Sequence, residues 1–474
     1  MKSLLRMAVA LAGGLSLAAC QMVGPDYHTP DEAAVHRADL QQELDLGNSN
    51  VVSLPVPPNW WRLYQDPRLD SLVQQALRTN TDLRVAAANL QRARGQVQEA
   101  QSAGGFGASA SGGVQRLQES GEAFLMTDKL PVDNLGSAEI NLSYQFDLWG
   151  TLKRGVEAAQ ANADATQAAG DVARITLVAD VVKAYTQVCA ANEEYAIARH
   201  SLDLQEQGVR LTQRLRDAGR GDETQVTRSQ TQFKSLRAEL PRYEAARQAG
   251  LFQLSMLLAK PVGELPAGTG QCAELPHMAQ VLPVGDGAAL LKRRPDIRQA
   301  ERLLAASTAR IGVATGELYP DISIGATVGT IGLLDDLGHP AANRWGFGPM
   351  ISWTLPTNGA RSRIRQAEAS TQASLAHFDG VVLNALRETQ TALAQYTALL
   401  ERRDALADAE QSAQQAADQT HRFFQAGRES FLADLQATRT YTDVRGQLAA
   451  ANTQVALQQI TLFLALGGGW EVAR

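Results

Sequence analysis

The sequence predicts a mainly α-helical protein with a transmembrane β portion, built from one unit used twice. Three observations carry this. Internal similarity at a nearly constant offset divides most of the chain into two copies. Each copy holds a proline-free stretch long enough for an exceptionally long helix. Each copy also holds a pair of short segments, four in all, read as strands.

The repeat shows in four places. "RLRDAGRGDETQVTRSQTQF" (214–233) parallels "RFFQAGRESFLADLQATRTY" (422–441), which sets the two AGR triplets 208 residues apart. At the same offset "LSMLLA" (254–259) lies over "LFLALG" (462–467). Upstream, "FDLWGTLKRGVEAAQA" (146–161) parallels "WTLPTNGARSRIRQAEA" (353–369) with one residue inserted, and "NTDLRVAAANL" (80–90) resembles "RPDIRQAERLL" (294–304). Each copy reads helix, two strands, very long helix, turn, returning helix.

The chain opens with Lys2 and Arg6, then an apolar run from Met7 to Ala19. That run is too short for a membrane-spanning helix, which needs about 20 residues, and fits a secretory signal peptide. It ends in Leu17-Ala18-Ala19-Cys20, which resembles a bacterial lipobox. The expected mature protein therefore begins at a lipidated Cys20, and several acyl chains hold it at about 0.8 kcal/mol per buried methylene. An ordinary signal peptide with a chance cysteine is the alternative. Gln21, where aspartate would mark inner-membrane retention, points to the outer membrane.

The strands come next. In 136–148, Ala138, Ile140, Leu142, Tyr144, Phe146 and Leu148 share one face, and Glu139, Asn141, Ser143, Gln145 and Asp147 the other. Segments 321–334 and 344–355 alternate in the same way, with Trp345, Phe347, Ile351 and Trp353 on the apolar side of the latter. Segment 106–117 is rich in Gly and Ser, and its place in the repeat makes it a strand. Such strands suit a membrane barrel or a soluble sandwich. Export and lipidation favour the membrane. Four strands cannot enclose an aqueous lumen, and open edges are not tolerated in lipid, so several chains must share one barrel.

Residues 151–217 and 360–425 contain no proline and are dominated by Ala, Gln, Leu and Arg. A helix over 151–217 is about 100 Å long, a length for crossing a compartment. The returning helices carry heptads, Val226, Ser229, Phe233, Leu236, Leu240 and Tyr243 in one and Tyr441, Val444, Leu448, Ala451 and Val455 in the other, the mark of a coiled-coil seam. Gly219 and Gly427 stand where the long helices must end, in the glycine position of a helix cap. The turns around them lie farthest along the helices from the strands.

Net charge is −6 with no basic patch, so nucleic acid is not an expected partner. The seven histidines do not pair with Cys, Asp or Glu at ligand spacing, so no metal is expected. No motif of nucleophilic, metallohydrolase or nucleotide chemistry occurs, so no catalytic residue is assigned. Glu301 and Glu388 read as solvated faces or ion pairs, and His421 and Arg422 as groups that favour a helix C-terminus. Cys189 and Cys272 sit in different contexts and are expected to be unpaired.

"GPDYHTP" (24–30), "WWRLYQDPRLDSLVQQALRTNTDL" (60–83), "YQFDLWGTLKR" (144–154) and "LLKRRPDIRQAERLLAASTARIGVATGELYPDISI" (290–324) are similar to the motifs of the TolC/OprM outer-membrane factor family, in its NodT-type lipoprotein branch. The resemblance covers nearly the whole mature chain. It implies a homotrimer in which each chain gives four strands to a shared 12-stranded β-barrel, continued by a long periplasmic α-helical barrel. It implies the exit duct of a tripartite efflux system, set in outer-membrane lipid, with a periplasmic membrane-fusion adaptor and an inner-membrane transporter, RND-type in the first instance. No cofactor is implied beyond the lipid on Cys20. A periplasmic coiled-coil structural or adaptor lipoprotein is the runner-up; it lacks duplicated amphipathic strand pairs.

The chain then divides into a signal peptide (1–19), a lipidated extended segment (20–59), helices of the first copy (60–103), and a first hairpin (104–148) with an extracellular loop near 119–135. The first long helix, tip turn 217–223 and return helix fill 149–260, and an equatorial linker fills 261–293. The second copy has a helix (294–319), a hairpin (320–356) with a loop near 335–343, the long helix, tip turn 425–431 and return helix (357–466), and a tail (467–474). The tip carries the expected gate and adaptor contacts: Gly219, Arg220 and Asp222 in the first copy, and Phe424, Gly427, Arg428, Leu432, Asp434, Gln436 and Arg439 in the second. Leu432 falls on an apolar constriction position of the family. Phe424 and Gln436 fall where the OprM-like pattern has Tyr and Asp. Phe makes no closing hydrogen bond and Gln only a weak one, which leaves Asp434, Arg428 and Arg439 for an ionic lock. "QSAGGFGAS" (101–109) lacks the proline that the second copy has at Pro320, so Gly104 and Gly105 must make the bend.

Overall fold

The computed structural model describes residues 22–37, 51–52, 54–278, 282–284 and 293–468; Cys20 and the signal peptide lie outside them. Among the described residues the α-helices are α1 (Pro67–Thr79), α2 (Thr81–Ser102), α3 (Thr151–Asp217), α4 (Glu223–Leu257), α5 (Pro295–Gly316), α6 (Asn358–Gln425) and α7 (Phe431–Ala465). Four long strands are β1 (Phe106–Gln118), β2 (Val132–Phe146), β3 (Asp321–Leu333) and β4 (Asn343–Ser352). A two-residue parallel bridge joins Val51–Val52 to Leu282–Pro283. The chain forms two compact units. Of the described residues, one unit takes those within 22–31, 89–167 and 299–378, and the other those within 32–88, 168–298 and 379–468.

The first unit holds an antiparallel sheet in the order β1-β2-β3-β4. The register decides what each face is. Phe106 pairs with Tyr144, Ile140 with Val328, Leu142 with Ala326, and Val328 with Trp345, so one face is a continuous apolar band. The opposite face is polar: Thr327 donates to Asn141 at 2.7 Å, and Arg344 meets Glu139 at 3.3 Å. In the single chain this apolar face is bare, with Phe106 85% and Trp345 84% exposed. Leaving such side chains in water forgoes about 1.5–3 kcal/mol each. Among the described residues β1 and β4 are each paired with a strand on one side only. The Gly/Ser-rich segment 106–118 is held as a strand by pairing along its length with β2, despite its weak alternation. The bend before it is made by Gly104 and Gly105, whose N–H groups donate to Gln101 and Ser102. β2 begins at Val132 and β4 at Asn343, so both hairpin loops end slightly earlier than the sequence suggests. No described helix is long and apolar enough to cross a membrane.

The N-terminal segment is locked into this unit. Arg154, 1% exposed, donates to the carbonyls of Val23 and Gly24 and pairs with Asp26 and Glu157, both at 2.7 Å. Gly24 has φ +79°, and a Cβ there would lie 2.4 Å from Gly312 Cα. Tyr27 donates to Glu301, and burial together with that carboxylate pushes its phenol up to about 12. Asp147 caps α3 through the N–H groups of Leu152 and Lys153.

The second unit displays the repeat as chemistry. The return helices α4 and α7 end in the same hydrogen-bond pattern, with Ala259 (φ +52°) and Gly467 (φ +67°) at the left-handed position 208 residues apart. Their last carbonyls are capped from equivalent places. Asn80 Nδ2 donates to Leu257 O at 3.0 Å, and Arg294 Nη1 donates to Ala465 O at 2.8 Å. Glu388 pairs with Arg294 at 2.8 Å. The WWRLYQDP stretch braces the same region: Trp60 stacks on Phe463 at 4.6 Å, Trp61 donates to Asp70, and Asp66 caps α1 while accepting from Tyr185.

One expectation is overturned here. Cys189 and Cys272 form a disulfide, with Cα atoms 5.1 Å apart. The linker after α4 folds back on α3, where Asn192 Nδ2 donates to Gly270 O and Cys272 O. The two sulfurs meet because of that return, which no local pattern around either cysteine encodes.

Candidate functional site

The site lies in the second unit, where α3 turns into α4 and α6 into α7. Both corners are Schellman caps. Arg220 N–H donates to Leu215 O and Gly219 N–H to Arg216 O; Arg428 N–H donates to Phe423 O and Gly427 N–H to Phe424 O. Gly219 has φ +68° and Gly427 φ +69°, and a Cβ on either would meet nothing within 4 Å. These glycines are therefore required by the left-handed backbone alone, not by lack of room. The following helices are capped at matching positions, by Asp222 on Gln225 N–H at 2.8 Å and by Ser430 on Ala433 N–H at 3.1 Å. Arg216 bridges the first corner, to Asp217 at 2.7 Å and Glu223 at 3.1 Å. Arg220 and Arg428 are exposed.

Other sequence-assigned residues fall into three settings. Leu432, 60% exposed, presents a bare apolar side chain from the first turn of α7, and Gln436 is exposed one turn on. Phe424 packs on Phe431, with ring centroids 5.8 Å apart, so an aromatic contact occupies the place of a hydroxyl. Asp434 is buried at 7% exposure and accepts from His421 Nδ1 at 3.2 Å, while His421 Nε2 lies 2.9 Å from Gln425 Nε2. His421 thus fastens α6 to α7 and does more than favour a helix end.

Arg439 reaches a partner that no sequence signal marked. Its Nη2 and Nε donate to Gln205 Oε1 at 2.8 and 3.1 Å. Gln205, 2% exposed, donates in turn to Ser229 O at 2.9 Å and Ser229 Oγ at 3.0 Å. Burial pushes the Arg439 guanidinium below the usual arginine range, against the opposing pull of Asp443. One glutamine among the six of this helix has no pattern to distinguish it; it becomes visible only when α3, α4 and α7 are assembled. Among the described residues no group of three or more His, Cys, Asp or Glu side chains is gathered to hold a metal.

The protein family described as Outer membrane efflux protein matches residues 72–260 and 288–468. Nodulation protein T of Rhizobium leguminosarum bv. trifolii is 27% identical over 463 residues, covering 96% of each chain. The toluene efflux pump outer membrane protein TtgC of Pseudomonas putida is 29% identical over 478 residues, covering 99% of this chain and 96% of that protein. Among solved structures, the outer-membrane channel OprN superposes with a TM-score of 0.85 at 32% identity, covering 94% of this chain and 99% of that one.

Proposed function

We propose that this chain, which belongs to the outer membrane efflux protein family, works as a homotrimeric exit duct whose periplasmic tip is its gate. It is an outer-membrane efflux channel with the fold of TolC-like channels, reaching into the periplasm. The observation that carries the trimer is the open sheet. Four strands present a continuous apolar face and two unpaired edges, and three copies joined β1 to β4 close a barrel of 12. Detergent-purified protein is expected to have the mass of three chains. A detergent-independent monomer would overturn the reading.

The partners are a periplasmic membrane-fusion adaptor at the tip turns and an inner-membrane transporter, of RND type, that supplies the energy. Cys20 carries the lipid anchor. The duct itself has no cofactor and performs no reaction; solute diffuses through it. Relatives at similar identity bear names as different as a toluene pump and a nodulation protein, which supports leaving cargo choice to the transporter.

The gate residues are carried over from the family pattern, and the exposed position of Leu432 in the first turn of α7 supports the reading. Leu432 is the apolar constriction; a ring of three such side chains around a narrow bore excludes water. Leu432→Ala is expected to raise the resting conductance of the purified channel in a planar bilayer. An unchanged conductance would remove Leu432 from the gate. Phe424 and Gln436 supply no ionic lock, and Asp434 is engaged by His421.

A further inference from the structure

We propose that Gln205 is a positioning residue of the gate: it bolts the first helical pair, α3 and α4, to α7, and the strength of that bolt sets how far the tip rests closed. This rests on the channel reading above and deepens it.

The amide of Gln205 is fully used. It has two N–H donors and a carbonyl with two lone pairs. The donors go to Ser229 O and Oγ on α4, and the carbonyl accepts both bonds from Arg439 on α7. Flipping the amide would turn its NH2 toward the guanidinium donors, so the network fixes its orientation. One buried side chain thus joins three helices.

Two features make this a releasable fastening instead of a packing contact. The acceptor facing Arg439 is neutral, so the bond is weaker than a carboxylate would make it. A cavity of about 40 Å³, whose lining includes Ser201, Gln232, Thr438, Thr442 and Asp443, adjoins the network. That is room for one water among polar groups. Water can take over the guanidinium as the helices part, so opening leaves no bare cation behind.

The repeat supplies an independent argument. Corners, caps and helix ends are duplicated at the 208-residue offset: Gly219 with Gly427, Asp222 with Ser430, Ala259 with Gly467. The bolt is not. Positions equivalent to Gln205, Ser229 and Arg439 are Ala413, Ala437 and Thr231, none of which can rebuild it. The corner glycines, helix caps and helix ends appear in both copies, whereas this contact belongs to a single interface, so it is not part of the duplicated corner and cap scaffold.

The test is the single-channel behaviour of the full-length protein in planar bilayers, with Gln205→Met, Arg439→Met and the double variant. Losing a hydrogen bond to a charged group is expected to shift the closed-to-open ratio by roughly tenfold for each single variant. The double variant is expected to go no further, because both substitutions break the same contact. Arg439→Lys keeps the charge with one fewer fixed donor, and is expected to fall between wild type and Arg439→Met at an unchanged melting temperature. The bolt is overturned if Leu432→Ala raises conductance while Gln205→Met and Arg439→Lys remain at the wild-type level, or if the two single effects simply add. A wild-type protein that never conducts, alone or as Leu432→Ala, would sink the channel reading and this inference with it.

Discussion

Arg294→Met is expected to destabilise the protein by about 3 kcal/mol, read as a lower denaturant midpoint for loss of helical signal. The Arg294 side chain is 8% exposed and satisfies three groups: Ala465 O at the end of α7, Asp296 at 2.6 Å and Glu388 at 2.8 Å. Removing it takes the buried cation from both carboxylates and leaves Ala465 O only the longer bond from Thr389. Breaking a buried pair costs about 3–5 kcal/mol, and the lower end applies because Asp296 and Glu388 remain about one-third exposed to water. The cation also stands at a helix C-terminus, where the backbone dipole favours it. The binding of both carboxylates holds its pKa above the ordinary arginine value despite burial that opposes it. Asn80 performs the equivalent capping of Leu257 O with a neutral amide. Asn80→Ala is therefore expected to cost less, about 1–2 kcal/mol. Equal midpoints for Arg294→Met and wild type would show that the cap carries no stability.

Cys272→Ser is the second large effect, at about 4 kcal/mol. The bond ties residues 83 positions apart, and cross-linking a loop of that length removes chain entropy of this order from the unfolded state. Both sulfurs are shielded, with Cys189 fully buried and Cys272 7% exposed. A maleimide is expected to label neither cysteine in the native protein, and both only after unfolding with reductant. Two reactive thiols in native protein would contradict the bond. Without it, the linker keeps only the Asn192 amide bonds to Gly270 and Cys272 at that point. Limited proteolysis of Cys272→Ser near residues 270–278 should therefore run faster than in wild type.

Three of the four strands and the return helices are readable because each is periodic; the long helices show as proline-free stretches, and the Gly/Ser-rich strand shows only by its place in the repeat. Ile140, Leu142 and Tyr144 alternate along one strand, and the register places them beside Val328, Ala326 and Ile324. Val226 and Ser229, picked from a heptad, are buried in α4. The corner glycines were readable because only a left-handed residue ends a helix in that way. The tip residues were legible as places but not as partners. Asp434 was marked without His421, and Arg439 without Gln205, because each partner lies on a different helix.

The sequence by itself determined the duplicated architecture, the helix and strand positions, and the amphipathic faces. These follow from short-range rules: side-chain periodicity, backbone φ and capping chemistry act within a few residues. Tertiary structure alone decided that Cys189 meets Cys272, that Arg294 caps α7, and that Gln205 joins Arg439 across three helices. Each of those depends on two single residues from distant parts of the chain, and a lone side chain has no period; its partner is chosen by how the helices pack.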